Sequence, residues 1–512
     1  MKTIELNGKN LTLDLMYEVA FAGDKAIKIT LHKDVINRMQ RSRDYVLKLL
    51  KDKKPIYGIN TGFGALSSKQ IDDNDLGELQ LNLIRSHCTG VGKPFERSIV
   101  RAIMLSRVNC LIQGHSGVSI ETVEMLLEFL YHGITPVIPE KGSVGASGDL
   151  APLAHMSLAL IGEGEVEYQG KELISHFVID LIGKKPVVLG PKDGLALING
   201  TTVMVALAGL ACYKAQKLLK LADIISAVTI EAIKGSHAPF NPLISKLKPH
   251  PGQLEVTSNL QKLLNDSEIK DSHINCGKVQ DPYSIRCIPQ VHGAIRQTFV
   301  HLKSVVEIEL NSVTDNPLIF PDEQQVISGG NFHGEALALA MDYLSMGITE
   351  LCNISERRIE KMMNPVFSDL PPFLTKNSGL NSGLMIAHVT AAALASENKY
   401  LSHPASIDSI PTSTDKEDHV SMGVTAGRKL WEIIQNAKYC FAIEILCGIQ
   451  ALDFQKPLKP AKPLLPLYDL IRQHVTFIEK DRAFYKDIQK ILNLIETNEI
   501  IDCVENSTGK LH

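Results

Sequence analysis

Hydrophobic residues recur at spacings of three and four along most of the chain, a pattern typical of amphipathic α-helices. A clear example is the apolar stripe formed by Val100, Ile103, Met104, Val108 and Leu111. Longer stretches of the same kind, nearly free of proline, predict helices at about 201–234, 290–312, 332–363, 380–401 and 422–452. Strand patterns are few and short, at the N-terminus (ELNGKNLTLDL) and at 165–170.

The long predicted helices are apolar over more than half of their circumference. Helices of this kind must bury their apolar faces against one another, which predicts a mainly α fold, a superhelical bundle of long helices. A smaller mixed part, residues 1–200, precedes this bundle, residues 201–512. The excess of apolar helix surface also indicates packing across a subunit interface.

One uncharged run, Leu195 to Tyr213, is long enough to suggest a membrane span. The polar segment 199–202 (NGTT) interrupts it, and the pattern continues as an amphipathic helix through Lys214 and Lys217. A buried core helix explains this run better than a span, so we expect no membrane partner.

Composition narrows the class of protein further. The 512 residues are 44% hydrophobic and carry a net charge of −4, from 53 basic and 57 acidic residues without a basic tract, which argues against a nucleic-acid partner. The nine cysteines contain no C-x-x-C pair, so reduced thiols are favoured over disulfides or a zinc site. HEXXH and paired His/Cys spacings are missing, and we expect no metal. The N-terminal residues lack the continuous apolar core of a signal peptide, and we expect a cytoplasmic protein.

Residues 141–155, KGSVGASGDLAPLAH, interrupt the helical pattern with glycines at 142, 145 and 148. A flexible connector is the simplest interpretation of such a stretch. A phosphate-binding loop would need a lysine and a hydroxyl after the last glycine, whereas Asp149 follows here and would repel phosphate. The third interpretation is a reaction of the backbone itself.

In the tripeptide Ala146-Ser147-Gly148, the amide nitrogen of Gly148 can attack the carbonyl carbon of Ala146 if the chain bends tightly. Loss of water closes a five-membered ring, and loss of the Ser147 hydroxyl leaves an exocyclic methylidene. Glycine permits the compressed backbone, alanine adds little bulk, and serine carries the leaving group. Asp149 could act as a local base or polariser. The product would be a strong electrophile, which no ordinary side chain provides.

The stretch GSVGASGDLAPLAH closely resembles the signature of the histidine/phenylalanine ammonia-lyase family. Members of this family carry 4-methylideneimidazole-5-one (MIO), formed from an internal Ala-Ser-Gly, and the resemblance therefore implies MIO and no external cofactor. Seven further blocks resemble the family and occur in the family's order along the chain. They lie at residues 57–64, 82–94, 197–202, 280–290, 315–318, 329–335 and 381–399. The resemblance also implies homotetramers whose active sites combine loops from three subunits.

Elimination of ammonia from an amino acid needs an electrophile, a base near the β-carbon and a cation for the carboxylate. By resemblance, Tyr57 is the base, Asn199 contacts the MIO carbonyl or the substrate, and Arg286 binds the carboxylate. Tyr283 and Gln280 line the same site, and Phe332 packs near the MIO ring and the substrate side chain.

Each of these residues also has a simple structural interpretation. Tyr57 and Phe332 could be packing residues, and Arg286 could form an ion pair. Asn199 could be the N-cap of the helix predicted at 201–234.

Two positions bear on the substrate. Ser86-His87 occupies the selectivity pair of the family, where phenylalanine lyases have Phe-Leu, while histidine lyases and some tyrosine lyases have Ser-His. Residues 417–422 read EDHVSM, as in histidine lyases, and separate the two. A carboxylate at Glu417 can accept the ring N–H of an imidazole, a bond to a charged group worth roughly 1.5–3 kcal/mol. Residues Asp415-Lys416 depart from the Asn-Gln usual in bacterial histidine lyases, and Glu417 could alternatively cap the following helix.

The resemblance therefore implies elimination of ammonia from L-histidine to give trans-urocanate. A tyrosine ammonia-lyase or an aromatic amino acid 2,3-aminomutase of the same MIO family is the alternative. The fumarase/argininosuccinate lyase group is disfavoured because its G-S-S-x-M-P-x-K-x-N loop is absent. A helical scaffold with an unreactive loop is the alternative outside enzymes.

Overall fold

The computed structural model describes residues 1–51, 55–274, 277 and 279–512. The predicted mainly α architecture is confirmed. The five longest predicted helices are observed at Thr202–Ala232, Ile288–Glu309, Glu335–Met363, Met385–Leu401 and Gly423–Asp453. Each lies within five residues of its predicted ends.

Shorter helices make up most of the remaining secondary structure. In the first two hundred residues they are Leu13–Phe21, Lys33–Lys51, Leu76–His87, Arg97–Leu111, Ile120–His132, Leu150–Leu160, Ser175–Leu181 and Asp193–Ile198. In the rest of the chain they are Pro242–Leu247, Pro251–Leu263, Glu268–Asp271, Tyr283–Arg286, Pro365–Ser368, Leu465–His474, Tyr485–Glu496 and Glu499–Thr508. Short 3-10 turns lie at Gly64–Leu66, Asp73–Asp75, Ala238–Phe240, Pro372–Leu374 and Lys462–Leu464.

The strands form four small sheets. Lys2–Leu6 pairs in parallel with Ile27–Leu31, while the other pairings are antiparallel. These join Val91–Pro94 to Pro139–Lys141, Thr135–Pro136 to Glu165–Tyr168 and then Lys171–Ile174, and Leu318–Phe320 to Gln325–Ile327.

The sequence pattern at the N-terminus is only partly confirmed. The strand Glu165–Tyr168 lies where it is predicted. The N-terminal strand Lys2–Leu6 shares only Glu5 and Leu6 with the predicted stretch at 5–15, and the last three residues of that stretch begin a helix. The side chain of Thr12 accepts a hydrogen bond from the amide of Leu15 and starts the helix Leu13–Phe21. An N-cap of this kind satisfies an amide that a helix would otherwise leave unpaired, and it overrides the short alternation of the sequence.

The chain forms two compact units. Unit 1 contains Met1–Tyr213, Leu302–Asp342 and Pro404–Arg428, and unit 2 contains Lys214–His301, Tyr343–His403 and Lys429–His512. All the strands of the described residues fall in unit 1. The predicted boundary near residue 200 stays a prediction.

The uncharged run at 195–213 is broken at residues 199–201, between the helices Asp193–Ile198 and Thr202–Ala232. Its apolar side chains are buried, as expected of a core segment. Among the described residues, no helix has both the length and the apolar character needed to cross a bilayer. The eight cysteines that the structure describes are unpaired, and Cys276 lies outside the described residues.

Candidate active site

The Ala146-Ser147-Gly148 segment is held against a second backbone turn. The amide of Gly200 donates to the carbonyl of Ser147 at 3.3 Å, and the amide of Asp149 donates to the carbonyl of Gly200 at 2.9 Å. Gly148 has φ +76°, and a Cβ added there would lie 2.2 Å from the carbonyl oxygen of Gly200. Only glycine fits this position, so the tight local backbone that the cyclisation needs is compatible with the structure.

Asp149 joins this segment to the start of the helix Thr202–Ala232. Its buried Oδ2 accepts hydrogen bonds from the amides of Val203 and Met204 at 2.9 and 3.0 Å. Burial raises the pKa of Asp149 to about 7, because the two amides and the charge of Arg107 offset only part of the cost of desolvation. Asp149 therefore satisfies the first amides of this helix from outside its sequence.

A second helix approaches the loop from another direction. The amide of Met422, just before the helix Gly423–Asp453, donates to the carbonyl of Val144 at 2.8 Å. The hydroxyl of Ser421 donates to the carbonyl of Gly145 at 3.1 Å. The positive ends of two helices thus face residues 144–149, which favours the development of negative charge there.

A cavity of about 540 Å³ opens beside this loop in unit 1. Several residues singled out from the sequence line it together, although their positions in the chain are far apart: Tyr57, Ser86, His87, Ser147, Asn199 and Glu417. Apolar residues contribute most of the remaining wall, including Phe63, Leu79, Leu83, Leu150, Leu195 and Ile198. A mostly apolar cavity with a few convergent polar groups is the usual form of a small-molecule site.

Glu417 reaches Ser147 across this cavity. The hydroxyl of Ser147 donates to Oε1 of Glu417 at 2.8 Å, and the hydroxyls of Thr412 and Ser413 each donate to Oε2 at 2.8 Å. The carboxylate therefore faces the loop and the cavity, and the alternative that it caps the helix Gly423–Asp453 is not supported.

His87 is placed as a neutral hydrogen-bonding group. Its Nδ1 lies 2.8 Å from the carbonyl oxygen of Leu83, and because a carbonyl only accepts, Nδ1 carries the proton and Nε2 is left as an acceptor. Burial lowers the pKa of His87, against the opposing effects of this carbonyl and of the Glu417 charge. Burial therefore favours the neutral form of this imidazole.

Asn199 lies at the bend between two helices and is buried. It is the C-cap of Asp193–Ile198, and its Oδ1 has no hydrogen-bond partner among the described residues. The N-cap alternative for Asn199 is wrong, because the carboxylate of Asp149 takes the amides of the next helix. A buried amide oxygen without a partner is rare and indicates a group that binds something else.

Tyr57 is half-buried at the edge of the same cavity. Its hydroxyl oxygen accepts a long hydrogen bond of 3.4 Å from the amide of Gly64. This turn belongs to the glycine-containing block YGINTGFG, and it presents the phenol beside the loop rather than in the core.

Four predicted site residues do not line this cavity: Gln280, Tyr283, Arg286 and Phe332. Gln280, Tyr283 and Arg286 belong to unit 2, where Tyr283 is 70% exposed and the Arg286 guanidinium lies 4.5 Å from the centre of its ring. Nε of Arg286 is buried and has no partner among the described residues. Phe332 is half-buried in the turn before the helix Glu335–Met363.

The structure also brings together one group of metal-ligand side chains that the sequence spacing did not indicate. Ligand atoms of His333, Glu335 and His419 lie within 4.8 Å of one another. The two imidazole rings are stacked with an angle of 3° between their planes. Exposed acidic groups are common without a bound ion, so this proximity alone assigns no metal to the group.

Three residues near the loop were missed by sequence reasoning. Thr412 and Ser413 lie in a stretch rich in serine and threonine, and their spacing of five and four residues from Glu417 is the signal that the sequence offers. Arg107 is fully buried, and its Nε and Nη1 have no hydrogen-bond partners among the described residues. Nothing in the apolar stripe around Arg107 distinguishes it in the sequence.

Comparison with known proteins agrees with this arrangement. The family model for aromatic amino acid lyases matches residues 11–473. The histidine ammonia-lyase of Myxococcus xanthus is 48% identical over 506 residues, which cover 99% of both chains.

Solved structures give the same result for the fold. The histidine ammonia-lyase of Trypanosoma cruzi is similar with a TM-score of 0.91 and 41% identity, covering 100% of this chain and 96% of that one. A tyrosine aminomutase from Streptomyces globisporus is similar with a TM-score of 0.94 and 34% identity, covering 100% of both chains. With a family match over nine-tenths of its length and a cavity that brings together the Ala-Ser-Gly loop and the blocks at 57–64, 82–94 and 197–202, the chain belongs to the aromatic amino acid lyase family.

Proposed function

We propose that the protein is an ammonia-lyase that eliminates ammonia from L-histidine to give trans-urocanate. The observation that carries this proposal is the position of Glu417, a carboxylate in bonding distance of Ser147 at a cavity that His87 also lines. The relatives of similar length that are about 47% identical are named histidine ammonia-lyases, which supports the same substrate.

The reactive group would be MIO, formed from Ala146, Ser147 and Gly148 with loss of two water molecules. The residues present fit this group, because Gly148 has no room for a side chain and the N-terminal ends of two helices face the loop, where they would stabilise an electron-poor ring that takes up negative charge. MIO supplies an electrophile for the amine of the substrate, which assists the departure of a poor leaving group. No external cofactor is included in this proposal.

Tyr57 is the proposed base for the β-hydrogen. Its phenol lies at the edge of the cavity that contains Ser147, and a base must come within hydrogen-bond reach of the proton that it removes. Asn199 would accept a hydrogen bond from the amino group of the substrate with its Oδ1, which has no partner among the described residues, or would donate from its side-chain N–H to the loop carbonyl.

Glu417 and His87 would bind the imidazole ring. The carboxylate can accept a ring N–H, and Nε2 of His87 is a second acceptor of the same cavity. A phenyl ring would offer neither group a donor, and the desolvation of Glu417 would then go uncompensated. The pair therefore favours an imidazole over a benzene ring.

The substrate carboxylate would be bound by Arg286, with Tyr283, Gln280 and Phe332 around it, supplied by other subunits of a homotetramer. The absence of these four residues from the lining of the cavity supports shared sites. Exposed apolar side chains on two long helices support an oligomer, since surfaces of this kind are usually covered: Leu339, Tyr343, Met346, Ile386, Val389 and Tyr400.

A cytoplasmic location completes the proposal. Its support is the cysteine usage, because the eight described thiols are unpaired and reduced thiols are typical of the cytosol. We propose neither a nucleic-acid nor a membrane partner.

An amino acid panel tests the function. The purified protein is mixed separately with L-histidine, L-tyrosine and L-phenylalanine, and ultraviolet absorbance reports the conjugated acid that elimination produces. We expect product from L-histidine alone. Product from L-tyrosine alone, or a β-amino acid in place of a conjugated acid, would instead assign the chain to the tyrosine lyases or the aminomutases.

An intact mass tests the cyclisation. The active protein is expected to be lighter by two water molecules than its sequence, and the full mass of the sequence would contradict MIO.

A further inference from the structure

Two hydroxyl groups from its own loop hold the carboxylate of Glu417. Oγ1 of Thr412 and Oγ of Ser413 each donate to Oε2 at 2.8 Å. The backbones of Thr412 and Glu417 also exchange two hydrogen bonds, of 2.9 and 3.4 Å. The loop therefore closes on itself and brings both donors to the same oxygen.

The other oxygen of Glu417 has a different partner. Oε1 accepts the hydroxyl of Ser147 at 2.8 Å. That hydroxyl is the group that leaves Ser147 when the ring of the proposed MIO forms. Its departure removes the only described donor to Oε1 while both donors to Oε2 remain, so the carboxylate keeps one occupied and one vacant oxygen beside the cavity.

We propose that Thr412 and Ser413 are positioning residues that determine specificity by fixing which oxygen of Glu417 meets the substrate. The two hydrogen bonds to Oε2 prevent rotation of the carboxylate about its terminal C–C bond. Oε1 therefore stays at the position where it accepted the hydroxyl of Ser147. A single acceptor fixed in this direction selects a ring with an N–H donor, which an imidazole has and a phenyl ring lacks. The inference rests on the proposed function, because it assigns the ring of the substrate to Glu417.

The backbone of this loop needs such bonds. Ser413, Thr414 and Asp415 have φ of 50°, 53° and 62°, a left-handed conformation that non-glycine residues rarely adopt. A strained turn persists where the surrounding bonds determine it, and here the two hydroxyls join the turn to the carboxylate that it positions. Removal of the hydroxyls is thus expected to release the side chain of Glu417.

The test compares two inhibitors of the same length. trans-Urocanate carries an imidazole N–H, and trans-cinnamate carries a phenyl ring without a donor. In the double variant Thr412→Val/Ser413→Ala, we expect the inhibition constant of urocanate to rise about tenfold, the equivalent of one good hydrogen bond to a charged group. The constant for cinnamate is expected to stay within a factor of two. An unchanged constant for urocanate, or an equal rise for both inhibitors, would overturn the inference.

Two controls separate positioning from general damage. Ser409→Ala removes a hydroxyl of the same loop that accepts the amide of Val420 at 2.9 Å and does not touch Glu417, so any effect should fall equally on both inhibitors. Thr412→Ser keeps both hydroxyls and adds no β-branched residue to the left-handed turn, so it should retain the selectivity of the parent. If the double variant does not fold, Thr412→Val and Ser413→Ala are measured singly. Each should raise the inhibition constant of urocanate and leave that of cinnamate unchanged.

The same measurements distinguish failure of the inference from failure of the proposed function. A parent protein that neither binds urocanate nor consumes L-histidine would contradict the function itself. A parent that does both, with variants that keep its preference for urocanate over cinnamate, would contradict only the role of the two hydroxyls.

Discussion

Each unit contains a group of buried polar side chains, and the two groups differ in how completely their hydrogen bonds are satisfied. In unit 2, the carboxylate of Glu444 accepts four bonds, from Nε and Nη2 of Arg358, from Thr229 and from Ser355, at 2.6 to 2.9 Å. In unit 1, beside the Ala-Ser-Gly loop, the buried Asn199 Oδ1 and two nitrogens of Arg107 have no partner among the described residues.

The pKa values of the buried acidic groups in the two regions differ in the same way. Burial alone would raise the pKa of Asp223 in unit 2, but the charge of Arg296 and the hydrogen bond from His292 outweigh it, and the pKa lies below its ordinary value. Burial prevails at Asp149 in unit 1, where the pKa rises to about 7. A saturated network stabilises the fold, whereas unsatisfied buried groups cost stability and are kept where chemistry needs them.

The largest expected effect is at Ser147. In Ser147→Ala the leaving group of the cyclisation is missing, so turnover of L-histidine should fall at least about a thousandfold, the scale of loss of an essential catalytic group. Neither the variant nor the cyclised parent has the Ser147 hydroxyl, so its hydrogen bond to Glu417 contributes to the stability of neither, and the denaturation midpoint should stay near that of the parent. Steady-state kinetics measure the loss of turnover, intact mass reports the missing cyclisation, and denaturant melts measure the stability. Turnover near the parent level would contradict a chemical role for the region around the Ala-Ser-Gly loop.

Glu444→Gln is expected to have the opposite effect, a loss of stability that does not arise from a change in the active site. The amide would turn a donor toward Arg358 and leave a buried guanidinium without its counter-charge, which costs about 3–5 kcal/mol of unfolding free energy. Urea unfolding followed by circular dichroism measures the change. A loss below about 1 kcal/mol would show that this network contributes little.

Glu417→Gln is the matched substitution in unit 1. It removes the charged acceptor proposed for the ring N–H, a loss of about 1.5–3 kcal/mol, or roughly ten- to a hundredfold in kcat/KM for L-histidine. Because Glu417 is not part of a buried ion pair among the described residues, its unfolding free energy should change far less than that of Glu444→Gln. Equal destabilisation by the two substitutions would remove the distinction between the regions.

The smallest expected effect is a change in pH dependence at Asp149. The folded-state pKa of about 7 lies above the value of an unfolded aspartate, so the folded protein binds more protons between these values and loses stability as the pH rises. Between pH 5 and pH 7 this loss is on the order of 1–2 kcal/mol. Asp149→Asn, which can still accept from Val203 and Met204, should lack it.

Denaturant melts of parent and variant at pH 5, 6 and 7 measure the difference between the two slopes. Parallel slopes would show that Asp149 does not titrate in this window. Asp223 is the opposite case, because its depressed pKa gives stability that is fully present at pH 5 to 7 and is lost only as the pH falls below the ordinary value of an aspartate, so it adds no slope in this window.

The elements of the fold could be predicted well from periodicity. The helix predicted at 201–234 is observed at Thr202–Ala232, and the one at 422–452 at Gly423–Asp453, because each buries an apolar face that recurs every three or four residues. The stretch after Thr12 was harder, since a short alternation and a capped helix compete there and the cap prevails.

The candidate site was predictable in a different way. The blocks that resemble the lyase family named Tyr57, His87, Asn199, Glu417 and the Ala-Ser-Gly loop. No periodicity connects these positions, and the cavity that unites them was an expectation from the resemblance alone. The bonding distance between Ser147 and Glu417, 270 residues apart in the chain, required the folded structure.

Local patterns along the chain were therefore sufficient for the helices, the reactive tripeptide and the class of chemistry, because side-chain periodicity and backbone permissiveness act over a few residues. The cap that Asp149 provides to a helix fifty residues away, the unsatisfied groups of Asn199 and Arg107, and the two hydroxyls on one oxygen of Glu417 were decided by tertiary packing. Hydrogen bonds and desolvation depend on which atoms meet in space, and residues distant in the chain meet only when it folds.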